Sequence, residues 1–153
     1  MRLTPDQSVL CVIDVQERLL AAMPDAPLVV ERCLRLARAA ELLGVPRVLT
    51  EQYPRGLGPT ARALAAALPP PAEKLSFSCS GCGAFDAAME AGAKDVVLAG
   101  LETHVCIAQT ALDLLAAGRR VFIAVDAVAS RHAIDHETAL RRLEAAGGVL
   151  VTS

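Results

Sequence analysis

Aromatic side chains are nearly missing from this chain, which has no tryptophan, one tyrosine and three phenylalanines in 153 residues. Single-stranded nucleic acid is held by stacking on aromatic faces along a basic groove. The formal charge is −2 and no basic stripe runs along any segment, so nucleic acid is not an expected partner. Histidine is absent before residue 104; the three present are His104, His132 and His136. The C-x-x-C at Cys79-Ser80-Gly81-Cys82 has no second pair to complete a zinc site, so no metal and no other cofactor is expected. No apolar run reaches the ~18 residues that a membrane span needs. The opening residues, Met1 to Gln7, lack the long apolar stretch and small-residue cleavage site of an export signal. Five cysteines, an odd number, then predict reduced thiols in a cytoplasm.

What is abundant is apolar surface. The hydrophobic fraction is 54% and the mean hydropathy is +0.42, much of it from alanine. Monomers rarely leave large apolar patches exposed, so a homo-oligomer is expected. The length suits one domain, residues 1–153, with a sizeable core. Strand and helix signals alternate along it. Ser8–Ile13 is a continuous apolar run, the pattern of a strand covered on both faces. Further strands are predicted at 45–50, 73–76, 95–99, 120–125 and 149–152. Helical spacing marks 28–43, 60–68, 83–92, 103–117 and 135–146, most of them closed by glycine. Residues 52–59 hold two prolines and two glycines and read as a loop. This alternation predicts an α/β chain: a three-layer α/β/α fold on a six-stranded parallel sheet, order 3-2-1-4-5-6. The last strand is left without a following helix, an edge for which a partner is one expected cover.

Ligands of such sheets sit at the carboxyl ends of the strands. The reactive residues at those exits are Asp14 after the first strand, Lys74 at the third, Cys106 after the fourth and Asp126 at the fifth. Cys106 falls in the first turn of a helix, where unpaired N–H groups and the positive helix end lower a thiol's pKa. An ionised nucleophile is therefore expected there, with Asp14 to accept a proton and Lys74 to hold Asp14 charged. Taken singly, Asp14 also reads as a strand-end cap and Lys74 as a solvated lysine. Cys11 inside a strand and Cys33 inside a helix read as inert core.

Four ordered pieces carry a resemblance. They are Val12-Ile13-Asp14-Val15-Gln16; Lys74 with Phe77 and Ser78; Gly100-Leu101-Glu102-Thr103-His104-Val105-Cys106; and Val125-Asp126-Ala127-Val128-Ala129-Ser130-Arg131. Together they resemble the isochorismatase-like cysteine hydrolases across almost the whole chain. The stretch from Thr50 to Thr60 looks most like the smaller isochorismatase-domain subgroup. The resemblance implies Cys106 as nucleophile, Asp14 as general base and Lys74 as electrostatic partner. It also implies a cis peptide at Leu101–Glu102 and an oxyanion hole from the N–H groups of Glu102 and Cys106. The implied reaction is cleavage of a small amide or carbamoyl C–N bond through a thioester. A thiol-redox or binding protein that kept the fold is the alternative.

The nicotinamidases of this family hold a metal beside the site through an Asp and histidines between the second and third strands. Here that region offers only Glu51, which agrees with the expectation of no metal. Gln16, Gln52, Tyr53 and Phe77 are expected near the pocket by loop position, and Gln16 and Tyr53 are expected to touch substrate. His104 precedes Cys106 by two residues, so it points elsewhere and suits a pocket rim or an interface. Asp126, Ser130 and Arg131 are expected to cap and pair beneath the site, and Cys79 and Cys82 to form a turn near the pocket.

Overall fold

A computed structural model describes residues 2–153. In chain order the elements are β1 (Ser8–Ile13), α1 (Glu17–Leu20), α2 (Ala26–Leu42), β2 (Arg47–Gln52), α3 (Pro54–Leu57), α4 (Arg62–Ala65) and β3 (Ala72–Lys74). After these come α5 (Gly83–Glu90), β4 (Asp95–Leu101), a π-helical turn at Thr103–Ile107, α6 (Ala108–Ala116), β5 (Arg120–Ala129), α7 (Ala133–Ala145) and β6 (Val149–Val151). The six strands form one parallel sheet in the order β3-β2-β1-β4-β5-β6.

The alternation of side chains along β1 builds the three layers. Val9, Cys11 and Ile13 pack with Phe85 and Met89 of α5, Ala111 and Leu114 of α6 and Leu143 of α7. Leu10 and Val12 face the other way, against Val29, Cys33 and Ala37 of α2 and Leu64 of α4. All six residues of β1 are buried, which is why that stretch reads as an unbroken apolar run.

Several predicted boundaries move. The helix expected at 60–68 is a single turn, since Pro69-Pro70-Pro71 leave it no room to propagate. The 52–59 loop contains the one-turn helix α3, entered from Tyr53 in the left-handed region (φ 38°). The helix expected over 103–117 starts as the wider π turn. The fifth strand does not end at Asp126. It shifts register past Leu98 and runs on to pair Val128 with Gly100 and Ala129 with Leu101. Asp126 sits inside this strand and accepts hydrogen bonds from the Ser153 N–H (2.8 Å) and Oγ (2.7 Å).

Gly100 has a local role the pattern did not reveal. Its φ is +120°, and a Cβ there would lie 2.0 Å from the Ile13 carbonyl oxygen. Only glycine lets β4 come this close to the end of β1. Asp14 is the residue that follows on β1's side.

Candidate functional site

Asp14 leaves β1 in the left-handed region (φ 54°), a conformation aspartate tolerates better than most residues. Its backbone N–H donates to the Thr50 carbonyl (3.1 Å), which fixes the bend against β2. The side chain is fully buried and both oxygens are engaged. Thr50 Oγ1 donates to Oδ1 at 2.8 Å, and Lys74 Nζ donates to Oδ2 at 2.7 Å.

Lys74 closes β3 and is buried as well. Besides Asp14, its ammonium faces Gln52 Oε1 (2.8 Å) and the carbonyls of Ser76 (3.2 Å) and Phe77 (3.0 Å). Burial works against its charge. The attraction and hydrogen bond of Asp14 outweigh that, and the ammonium is held above the ordinary lysine range. Neither side chain of the Asp14–Lys74 pair is more than 2% exposed.

Cys106 reaches the same place from the π turn that follows β4. Its thiol is pushed well up from the ordinary cysteine value, which corrects the expectation of a thiolate. The first cause is burial. Asp14 adds to it through its charge and by accepting a hydrogen bond from the thiol, and Lys74 pulls the other way. Loss of water outweighs the positive helix end at this buried sulfur. Burial thus favours the neutral thiol at Cys106, beside the Asp14–Lys74 ion pair.

The cavity over Cys106 is ≈ 460 Å³ and is lined by Leu19, Gln52, Leu57, Phe77, Glu102, His104, Val105, Cys106 and Arg131. Phe77 lines this cavity. Gln16 does not, and its assignment to substrate contact is corrected. It is fully buried, and its amide donates to the Gln52 (3.0 Å) and Gly58 (2.7 Å) carbonyls and accepts from the Gln52 N–H (2.8 Å). It braces the loop after β2. Tyr53 lines a different cavity, with Pro54, Arg55, Glu73, Lys74 and Leu75. Glu51 accepts from the Thr60 N–H (2.7 Å) and Oγ1 (2.6 Å), which ties down the far end of the same loop. Among the described residues no cluster of three or more His, Cys, Asp or Glu is placed to hold a metal ion.

Three consecutive residues of the turn that carries Cys106 are clamped to the segment after β5. Glu102 accepts from Arg131 N (3.1 Å), Nε (3.1 Å) and Nη2 (2.7 Å). Burial opposes the Glu102 charge, and the Arg131 bonds overcome it and hold the carboxyl below its ordinary range. Thr103 Oγ1 meets His136 Nδ1 at 2.9 Å, and His104 Nδ1 meets Ser130 Oγ at 2.9 Å. The peptide between Leu101 and Glu102 is cis.

All five cysteines are free. Cys79 lies under the site. Its N–H donates to Thr110 Oγ1 (3.0 Å), and its sulfur is 3.9 Å from Thr50 Oγ1. Burial is the main reason its thiol is pushed up to about 11. Thr50 was missed as a site residue by sequence reasoning, whereas Gln52, expected near the pocket by loop position, lines the cavity and accepts from Lys74 Nζ. A threonine in the middle of a buried strand carries no chemical signal, and its partner is 36 residues away.

Residues 8–153 match the isochorismatase domain. Isochorismatase domain-containing protein 2A of Mus musculus is 40% identical over 152 residues, which is 99% of this chain and 74% of the mouse protein. The MAR1 ribonuclease of Caenorhabditis elegans superposes with a TM-score of 0.94 at 37% identity, covering 99% of this chain and 80% of that one. The YcaC protein of Escherichia coli, described as an octameric hydrolase of unknown specificity, gives 0.89 at 29% identity over 99% and 78%.

Proposed function

Because the chain belongs to the isochorismatase domain family, we propose that it is a cysteine hydrolase that cleaves a small amide or carbamoyl C–N bond through a thioester on Cys106. The observation that supports this most is the meeting of three reactive groups from three strand exits. Asp14 and Lys74 are paired at 2.7 Å, and the Cys106 thiol, which lines a cavity, is close enough to feel both of their charges.

In this reading Asp14 takes the thiol proton as sulfur attacks the carbonyl carbon. The N–H groups of Glu102 and Cys106 receive the developing oxyanion. Such donors are worth roughly 2.7–4 kcal/mol each in comparable enzymes. Collapse breaks the C–N bond while Asp14 returns its proton to the departing amine. Water, deprotonated by Asp14, then attacks the thioester. The C–S bond breaks and sulfur recovers a proton. Lys74 keeps Asp14 charged between these transfers, and its four acceptors leave it little freedom to follow substrate.

The lining also bears on the substrate. Leu19, Leu57, Phe77 and Val105 give apolar walls, and the charge of Arg131 in the lining is matched by Glu102. A small uncharged amide fits this lining better than a phosphodiester, whose binding needs unpaired cations. We assign residues 1–153 to one domain, working in the cytoplasm as a homo-oligomer. The exposed Leu28, Leu42, Leu43, Leu75, Phe77 and Ile134 support assembly, as does the octameric E. coli relative. Among the described residues no helix is long and apolar enough to cross a membrane.

A panel of small neutral amides and carbamoyl compounds, followed by amine release and by mass spectrometry of Cys106, tests the reading. Turnover of at least one compound, a matching acyl mass on Cys106 and loss of both in Cys106→Ala are expected. Turnover that survives Cys106→Ala overturns it.

A further inference from the structure

We propose that Thr50 is a positioning residue for Asp14, itself aligned by the Cys79 thiol, and that this relay keeps the proton shared by Asp14 and Cys106 on sulfur until substrate arrives. The inference rests on the Asp14–Cys106 proton-transfer pair put forward above.

The hydrogens can be counted. Asp14, facing the Lys74 ammonium at 2.7 Å, is a carboxylate and brings no hydrogen of its own. The hydroxyl of Thr50 has one, and it is used at Asp14 Oδ1, 2.8 Å away. The 3.9 Å contact between Thr50 Oγ1 and Cys79 Sγ can then run in only one direction, with the Cys79 S–H donating to the hydroxyl oxygen. Burial keeps that thiol protonated, with its titration pushed up to about 11. The order is Cys79 to Thr50 to Asp14. All three side chains are fully buried, so water does not compete for these bonds.

The consequence concerns where one proton resides. Sulfur and carboxylate share it, and each donor aimed at the carboxylate favours the anion. The titratable groups around Asp14 are Lys74 from β3, Cys106 from the nucleophile turn and Cys79 from the segment before α5. Lys74 fixes Oδ2, and Thr50 fixes Oδ1. With both oxygens held, the carboxylate is a restrained base and its orientation toward sulfur is set. The first cysteine of the C-x-x-C thus has a use that needs no redox step.

The test needs no substrate. Alkylation of Cys106 by iodoacetamide is followed by mass spectrometry between pH 5 and pH 9 in the wild type, Thr50→Val, Thr50→Ser, Cys79→Ala and Asp14→Asn. A donor to a charged acceptor shifts such a balance by about tenfold or more. Thr50→Val is therefore expected to alkylate about tenfold faster and to move the acid limb of the profile up by about one pH unit. Thr50→Ser, which keeps the hydroxyl, should follow the wild type, and Cys79→Ala should shift the profile part of the way. If Asp14→Asn responds but Thr50→Val overlays the wild type, the relay is wrong and the acid–base pair stands. The relay is equally wrong if Thr50→Ser behaves like Thr50→Val. If Asp14→Asn leaves the profile unchanged, the pair itself is wrong and the relay falls with it.

Discussion

Replacing Lys74 with methionine removes one charge from a pair that has almost no access to water. Methionine keeps much of the lysine's length and apolar body, so packing along the stem is largely retained. What is lost is the ammonium. Asp14 Oδ2, Gln52 Oε1 and the Ser76 and Phe77 carbonyls lose their donor together. Stranding a buried charge in this way costs about 3–5 kcal/mol. At roughly 2–4 °C per kcal/mol for a chain of this size, the midpoint of thermal unfolding should fall by about 6–20 °C. Asp14→Asn strands the ammonium instead, with a loss of similar size. The decisive variant carries both substitutions. No charge is then left buried, and most of the loss should return, giving a coupling of about 2 kcal/mol or more against the ~0.5 kcal/mol seen for independent sites. Urea unfolding of the four proteins, with similar slopes, measures it. Effects that simply add would refute the claim that Asp14 and Lys74 hold one another in ionised form, although the double variant is expected to be catalytically dead either way.

Other outcomes follow from the same structure. Asp14→Asn removes both Asp14 contributions that raise the Cys106 thiol, while Lys74 keeps three other acceptors and stays charged; iodoacetamide should then modify Cys106 faster than in the wild type at about pH 7.5. Slower modification would refute the assigned electrostatics. Cys11, Cys33, Cys79 and Cys106 are all raised in the fold, chiefly by burial, to about 12 for Cys33 and about 11 for Cys79. Their contribution to stability is complete below the unfolded thiol range near ~8.5 and is lost as pH rises through the folded values, so chemical unfolding should become easier steadily above about pH 9. Glu102 is lowered by Arg131, so its contribution is present above the ordinary carboxylate range and disappears as pH falls through the folded value. Arg131→Met should remove that acid-side dependence in a pH series of melts. Gly100→Ala meets the Ile13 carbonyl and a left-handed backbone at once. A loss of about 1–3 kcal/mol from backbone strain alone is expected, with slower Cys106 chemistry because β1 must shift; an unchanged melting temperature would contradict the geometry.

The architecture was legible because a parallel sheet covered on both sides leaves a simple trace. Each strand is a short apolar run, and most helices end in glycine. The Asp14, Lys74 and Cys106 positions could be picked out because strand exits are where such sheets do chemistry. Their charge states could not. Whether sulfur at position 106 is neutral depends on how much water the fold removes and on which carboxylate it meets, and both are set by residues far away in the chain. Gln16 shows the same limit: a polar residue beside Asp14 was read as facing substrate, whereas its amide is taken up by the Gln52 and Gly58 backbone. Thr50 was invisible for the opposite reason, since a hydroxyl inside an apolar strand looks like β-propensity until its partner is known. The run of β5 past Asp126 was hidden by the acid, which reads as a strand end but turns aside to hold Ser153.

The ties from residues 102, 103 and 104 to 131, 136 and 130 make two stretches of chain, distant in sequence, a single mechanical part. An engineer who transplants the Cys106-bearing turn into another scaffold would have to carry the second stretch along, or rebuild its guanidinium, imidazole and hydroxyl by other means. For the same reason, libraries aimed at new substrates should vary the two stretches jointly, because a change in either one re-aims the other.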